Sequence, residues 1–156
     1  MNCYSFCRLP CCLTGSTLTP EAVYAFVGAD GADTPPIAAV PTGVNLPLPR
    51  YQVFSWGILS NAASTEFTIQ RSGVFRLAYQ INTQYPVSSA SQLAINHTQA
   101  DASLLIPATP QRHYAAEVFL FLNHGDSVSL QLTHPSGETV LLQSGIGATL
   151  SIERIG

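Results

Sequence analysis

Cys3, Cys7, Cys11 and Cys12 are the chain's only thiols, and all four fall in its opening stretch, MNCYSFCRLPCC. Four uses compete for them. Structural zinc usually takes C-x2–4-C pairs separated by a longer loop, and this run would crowd a tetrahedron. Intrachain disulfides meet two obstacles. Bonding adjacent Cys11 and Cys12 closes a strained ring. In an extended chain Cys3 and Cys7 stand about 13 Å apart, beyond the ~7 Å that a disulfide spans between Cα atoms. Lipidation, or thiols left free, is a third use. Disulfides between subunits are the fourth and the expectation: in an extended segment Cys11 and Cys12 point to opposite sides, toward two different partners.

Little else in the chain suggests reaction chemistry. There is no G-x-S-x-G, H-E-x-x-H or P-loop, and Gly145-x-Gly147 has Leu150 where a dinucleotide loop needs its third glycine. His97, His113, His124 and His134 fall near predicted strand ends and turns, as solvated loop histidines do. Asn96-His97-Thr98 matches the glycosylation sequon but reads as chance. No enzyme activity, cofactor or metal is expected.

Composition sets the class of protein that carries the thiols. Of 156 residues only 10% are charged, against about 25% in typical domains, and 46% are hydrophobic. Lysine is absent, the six arginines are scattered singly, and the net charge is −3. Without a basic stripe to neutralise phosphates, nucleic acid is not an expected partner. No apolar run reaches 18 residues, so no membrane-spanning helix is expected. The opening lacks a positive n-region, and Pro10 and Gly15 interrupt any apolar h-region, so no secretory signal peptide is expected. Sparse charge favours burial in an oligomer.

After residue 20 the chain reads as strands. AVYAFVGA (Ala22–Ala29) is rich in β-formers, and the proline-rich stretch TPPIAAVPTGVNLPLP that follows should cross a sheet edge as an irregular band. TEFTIQ puts Phe67 and Ile69 on one face, and GVFRLAYQIN puts Phe75, Leu77, Tyr79 and Ile81 there. SQLAIN does so with Leu93 and Ile95, and SVSLQLTH with Val128, Leu130 and Leu132. ETVLLQ and ATLSIERI complete eight to ten expected strands. This period of two, broken by turns at 123–126, 134–137 and 145–147, predicts an all-β sandwich or barrel. AEVFLFLN is apolar on both faces: Val118, Leu120 and Leu122 face the core, and Phe119 and Phe121 face a second surface, read as a subunit interface.

GVFRLAYQINTQ and HGDSVSLQLTHPSGETVLLQSGIGATLSIERIG resemble the C-terminal domain of the collagen-like exosporium glycoproteins of bacterial spores. That domain belongs to the complement- and tumour-necrosis-factor-like jelly rolls. AVYAF resembles the first strand and GVFRLAYQI the mid-domain strand. GDSVSLQL resembles the late G-D-x-hydrophobic strand and GATLSIERIG the terminal one. The likeness covers residues 22–156. It implies a jelly-roll β-sandwich that trimerises about a threefold axis, made without a signal peptide in the mother cell and displayed on the spore surface. The short cysteine-rich tail is expected to stand in place of the Gly-X-Y stalk of those glycoproteins.

Two units follow: residues 1–20 as a connector arm and residues 21–156 as a jelly-roll head. A head of that size is about 35–40 Å across, whereas twenty extended residues reach about 66 Å. The arm can enter a neighbour, with Tyr4, Phe6, Leu9 and Leu13 as apolar anchors. The expected function is a self-assembling subunit of a spore-surface fibre or exosporium layer, its partners being further copies of itself and an anchoring coat or exosporium protein. The alternative is a trimeric ligand-binding head held to the spore by its tail.

Overall fold

The computed structural model of the chain describes residues 22–32, 34–38, 42–133 and 138–156. The four cysteines, the anchors Tyr4, Phe6, Leu9 and Leu13, the 1–20 arm, His134 and the 134–137 turn lie outside these residues.

Among the described residues, eleven strands form two facing antiparallel sheets. They are β1 (Tyr24–Ala29), β2 (Val44–Asn45), β3 (Arg50–Phe54), β4 (Ile58–Ser60), β5 (Phe67–Ile69), β6 (Gly73–Val87), β7 (Ala90–Ile95), β8 (Thr98–Gln99), β9 (Gln111–Leu122), β10 (Ser127–Thr133) and β11 (Ala148–Arg154). The first sheet runs β3-β1-β11-β6-β9, and the second runs β4-β5-β10-β7-β8 with β2 added on β10. The all-β jelly-roll expectation is met, and the count exceeds the eight to ten expected.

Alternation builds the core. Phe75, Leu77 and Ile81 of β6, Leu150 and Ile152 of β11, Leu93 of β7 and Val128 and Leu130 of β10 are all fully buried. They face each other between the sheets, as period-2 strands of a sandwich require. Tyr79 also points inward, and its hydroxyl must find partners there. It donates to the Ser103 carbonyl at 2.9 Å and takes a hydrogen bond from the Ser91 hydroxyl at 2.9 Å. Burial pushes its pKa above the ordinary tyrosine value, and the Ser91 bond offsets part of that.

Three expectations change. ETVLLQ (138–143) is not a strand: Thr139 and Leu141 make only isolated bridges, to Ile37 and Thr83. The proline-rich band is more than an edge covering, because Leu46 and Leu48 are fully buried and Val44–Asn45 pairs with β10. Pro47 and Pro49, just after Val44–Asn45, leave room there for only a two-residue strand. YQVFSWGILS, for which no strand was expected, supplies β3 and β4. Nearly all of β3 is exposed, so it lacks the alternation that marks a half-buried strand.

One end of the sandwich gathers the turns at 55–57, 70–72 and 123–126 with the start of β1. The Tyr24 amide donates to the Ser55 hydroxyl at 2.8 Å, the Arg154 amide donates to the Val23 carbonyl, and the Gln70 amide donates to the Gly57 carbonyl. A Cβ on Gly57 would stand 2.7 Å from the Val23 side chain, so only glycine lets the 55–57 turn close over the start of the head. Arg71 lies over the Trp56 ring at the same end, 4.6 Å from its centroid.

Candidate functional site: the outer face of the first sheet

Side chains that alternate away from the core emerge on the outer face of each sheet, and the two faces differ in kind. On the second sheet the outward residues form a chain of polar groups that satisfy one another. Gln92 Nε2 donates to Gln131 Oε1 at 2.8 Å, and Gln131 Nε2 donates to Asn45 Oδ1 at 2.8 Å. Asn45 Nδ2 then donates to Glu66 Oε1 at 3.5 Å, and His97 Nδ1 lies 3.3 Å from the same carboxylate oxygen. These groups have little to gain from being covered, and Leu59 of β4 stands exposed beside them.

The outer face of the first sheet is apolar at both wings. Phe119 and Phe121 of β9 are 57% and 64% exposed. The register sets Phe121 opposite Val74 and Phe119 opposite Arg76. The Phe119 and Phe121 expected on a second surface therefore share one face, open to solvent in the single chain. Across the sheet, with β11 and β6 between, Tyr24 and Phe26 of β1 and Val53 of β3 are exposed on the same face, Phe26 directly opposite Val53.

Tyr51 joins this second wing through a backbone irregularity. Between Phe26 and Gly28 the β1–β3 register slips, so that Gly28 pairs with Arg50. The bulge turns Tyr51 to a φ of +54°, a left-handed conformation that a bulky residue adopts at a cost. Gly28 makes room: an added Cβ would stand 3.0 Å from the Tyr51 ring. The strain keeps an aromatic ring, 49% exposed, on the same face as Phe26. Sequence reasoning missed this wing. Its only signals were the aromatic and β-branched content of YQVF and a glycine inside a strand pattern.

Between the wings sits an ion group. Arg76 Nη2 donates to Glu117 Oε2 at 2.6 Å, and Arg76 Nη1 lies 3.6 Å from Glu153 Oε2. Glu153 is paired in register with both Tyr24 and Arg76, so the triad fills the centre of the face. The hydrogen bond to Glu117, more than any other contact, holds the Arg76 guanidinium above its ordinary pKa.

The histidines make ordinary contacts. His113 Nδ1 meets Asn82 Oδ1 at 2.7 Å, and His124 Nδ1 meets the Gln70 carbonyl at 2.9 Å. Among the described residues, no three His, Cys, Asp or Glu side chains gather to hold a metal. The sequon is structural. Asn96 and His97, with φ of +51° and +65°, make the tight turn between β7 and β8. Asn96 Nδ2 donates to Asp126 Oδ1 at 2.8 Å, and its Oδ1 accepts the Ser127 amide at 2.9 Å. Both ends of the side-chain amide that a glycan would need are engaged.

Solved structures share this architecture at low identity. Rabbit GITRL superposes with a TM-score of 0.59 at 15% identity, covering 86% of this chain and 95% of that one. Pika GITRL gives 0.58 at 13%, covering 88% and 98%, and the Eiger TNF of S. frugiperda gives 0.57 at 12%, covering 88% and 94%. They establish the tumour-necrosis-factor-like jelly roll and nothing finer. No curated protein matches the chain. The family described as the BclA C-terminal domain matches residues 28–156, from the bulge glycine of β1 through the whole of β11, and the chain belongs to that family.

Proposed function

We propose that this protein is a structural, non-enzymatic subunit of the bacterial spore surface, whose heads close into a homotrimer through the outer face of the first sheet. One observation carries the reading. Six large apolar side chains (Tyr24, Phe26, Tyr51, Val53, Phe119 and Phe121) lie exposed on one face, while the opposite outer face exposes Leu59 of β4 beside polar side chains that are joined by their own hydrogen bonds. Membership of the exosporium-glycoprotein head family and the trimer implied by that resemblance support it. Burying such a face against copies of itself gives an apolar interface core of the kind that permanent oligomers use.

Residues 1–20 are the connector in this reading. The head begins at the end closed by the 55–57, 70–72 and 123–126 turns, so an arm leaving Ala22 departs from an end of the sandwich and not from the proposed trimer face. Tyr4, Phe6, Leu9 and Leu13 dock it on a neighbouring trimer, and Cys3, Cys7, Cys11 and Cys12 then lock the contact by intersubunit disulfides.

Electron microscopy of the purified chain tests this, with and without residues 1–20. Filaments from the full chain and discrete trimers from the truncated one are expected. Filaments from the truncated protein would place the longitudinal contact between heads and overturn the role of the arm. Discrete particles from the full chain would favour the ligand-binding head.

A further inference from the structure

The charges on the proposed trimer face do not balance. The triad has one cation, Arg76, and two anions, Glu117 and Glu153, and therefore carries a net −1. In the single chain this costs little, since the side chains are 41%, 44% and 52% exposed and water solvates the surplus. Covering the face removes that water, and an uncompensated buried charge is strongly unfavourable.

Among the described residues, no other cation on the face answers the surplus. The remaining ionisable groups that face outward are Tyr24 of β1, Tyr51 of β3 and His113 of β9, while Arg112 alternates to the other side of β9, five residues and about 16 Å along the strand from Glu117. Arg50, at the outer edge of β3, is already paired with Asp30 at 3.4 Å. His113 bonds to Asn82 and stands four residues from Glu117 along β9, about 13 Å at the rise of a strand. Arg71 is stacked on Trp56, and Arg154 donates from Nε to the Ser72 carbonyl, both at the end of the sandwich.

The two glutamates are not equivalent. Glu117 accepts a short, charge-assisted hydrogen bond from Arg76, whereas Glu153 stands a full ångström farther off. Arg76 and Glu117 form a neutral pair that tolerates burial. Glu153 is the group left over.

We propose that closing the trimer takes up a proton on Glu153 of each protomer, so that acidification drives assembly. The inference rests on the outer face of the first sheet being the trimer interface. A carboxylate moved out of water holds its proton to higher pH. The assembled state then binds more protons than the separate heads, and lower pH favours it. With three protons per trimer, the association constant rises by up to about 1000-fold per pH unit across the window in which only the assembled form is protonated. The concentration of half-dissociation falls by the square root of that, up to about 30-fold per unit.

The test is sedimentation velocity of the full-length chain, kept reduced, and of residues 21–156, in which the trimer step is read without arm docking, over a dilution series from about pH 5 to about pH 7.5, the pH range in which linkage is read. The fraction sedimenting as monomer is the readout. Expected is a monomer fraction that grows steeply as pH rises, a slope lost in Glu153→Gln and kept in His113→Gln. Glu153→Gln, at an exposed position, should stay assembled at the highest pH. Assembly without a pH slope, or tighter at high pH, overturns proton uptake and leaves the trimer standing. So does a slope that disappears with His113 instead of Glu153. A chain that is monomeric at every pH and concentration overturns the trimer itself.

Discussion

Truncating Phe119 and Phe121 together to alanine is the sharpest perturbation of the proposed interface. Both rings are exposed in the single chain, at 57% and 64%, and they leave the core residues Val118 and Leu122 of the same strand untouched. The folded head should survive. With about 200 Å² per phenylalanine, those exposures correspond to about 240 Å² of apolar surface per protomer, or about 6 kcal/mol at ~25 cal/mol/Å² if all of it is covered. Area overstates affinity, because ordering and imperfect packing take part of the gain back. Even a third of the figure, about 2 kcal/mol per protomer, raises the half-dissociation concentration by more than tenfold. Light scattering of residues 22–156 should change from about three times the monomer mass to the monomer mass, with the melting of the isolated head unaltered. A double variant that keeps the trimer at equal dilution would refute the assignment of this face. Phe121→Arg, which adds a buried charge, should dissociate the trimer at concentrations where the alanine pair still partly associates.

Three further outcomes follow from the described contacts. Tyr79→Phe removes the hydroxyl that bridges Ser91 and Ser103 inside the sandwich and should cost about 1–3 kcal/mol in denaturant unfolding. Gly73→Ala places a Cβ against the Gly156 carbonyl and the Arg154 side chain, and should cost about 1–3 kcal/mol, loosening the end of β11 first in hydrogen exchange. Asp126 has its pKa lowered, first by the Asn96 side-chain hydrogen bond and then by the Asn123 amide. Its stabilisation is therefore present above the unfolded-state aspartate pKa and lost as pH falls through the folded value, and Asp126→Asn should flatten that acid limb of the melting curve.

The parts of the fold legible in sequence are those where one physical rule acts alone. β6 and β10 lie inside their sheets, flanked on both sides and each with one face in the core, so alternation placed Phe75, Leu77, Ile81, Val128, Leu130 and Leu132 inward, all of which are buried. The same rule separated Val118 and Leu122 from Phe119 and Phe121, and so half of the candidate face was visible before any coordinates. The other half was not. β3 is an edge strand broken by a bulge, and a bulge shifts parity by one residue, which erases the pattern that alternation needs. The misread ETVLLQ fails for the opposite reason. Its residues alternate well, and Thr139 and Leu141 are indeed buried, but they reach across to two different partners, Ile37 and Thr83, so no ladder forms. Burial periodicity reports which side chains go inward. It does not report whether the backbone has a neighbour to pair with.

The ion group on the first sheet was invisible for a related reason. Arg76 and Glu117 are 41 residues apart, and Glu153 lies farther along the chain; only the β11-β6-β9 order makes them neighbours. Read singly, each is an ordinary polar residue on the solvent side of an alternating strand. Read together, they are a deficit of positive charge inside an apolar surface. That combination separates a surface built for permanent burial from one built for conditional burial. Phenylalanines alone would hold the heads together at any pH. A carboxylate left without its counter-charge makes the same contact depend on proton supply. If covering the face also brings in a cation from a neighbouring head, the deficit disappears and the pH slope with it. The slope therefore reports what the partner lays against Glu153 as directly as a structure of the assembled trimer would.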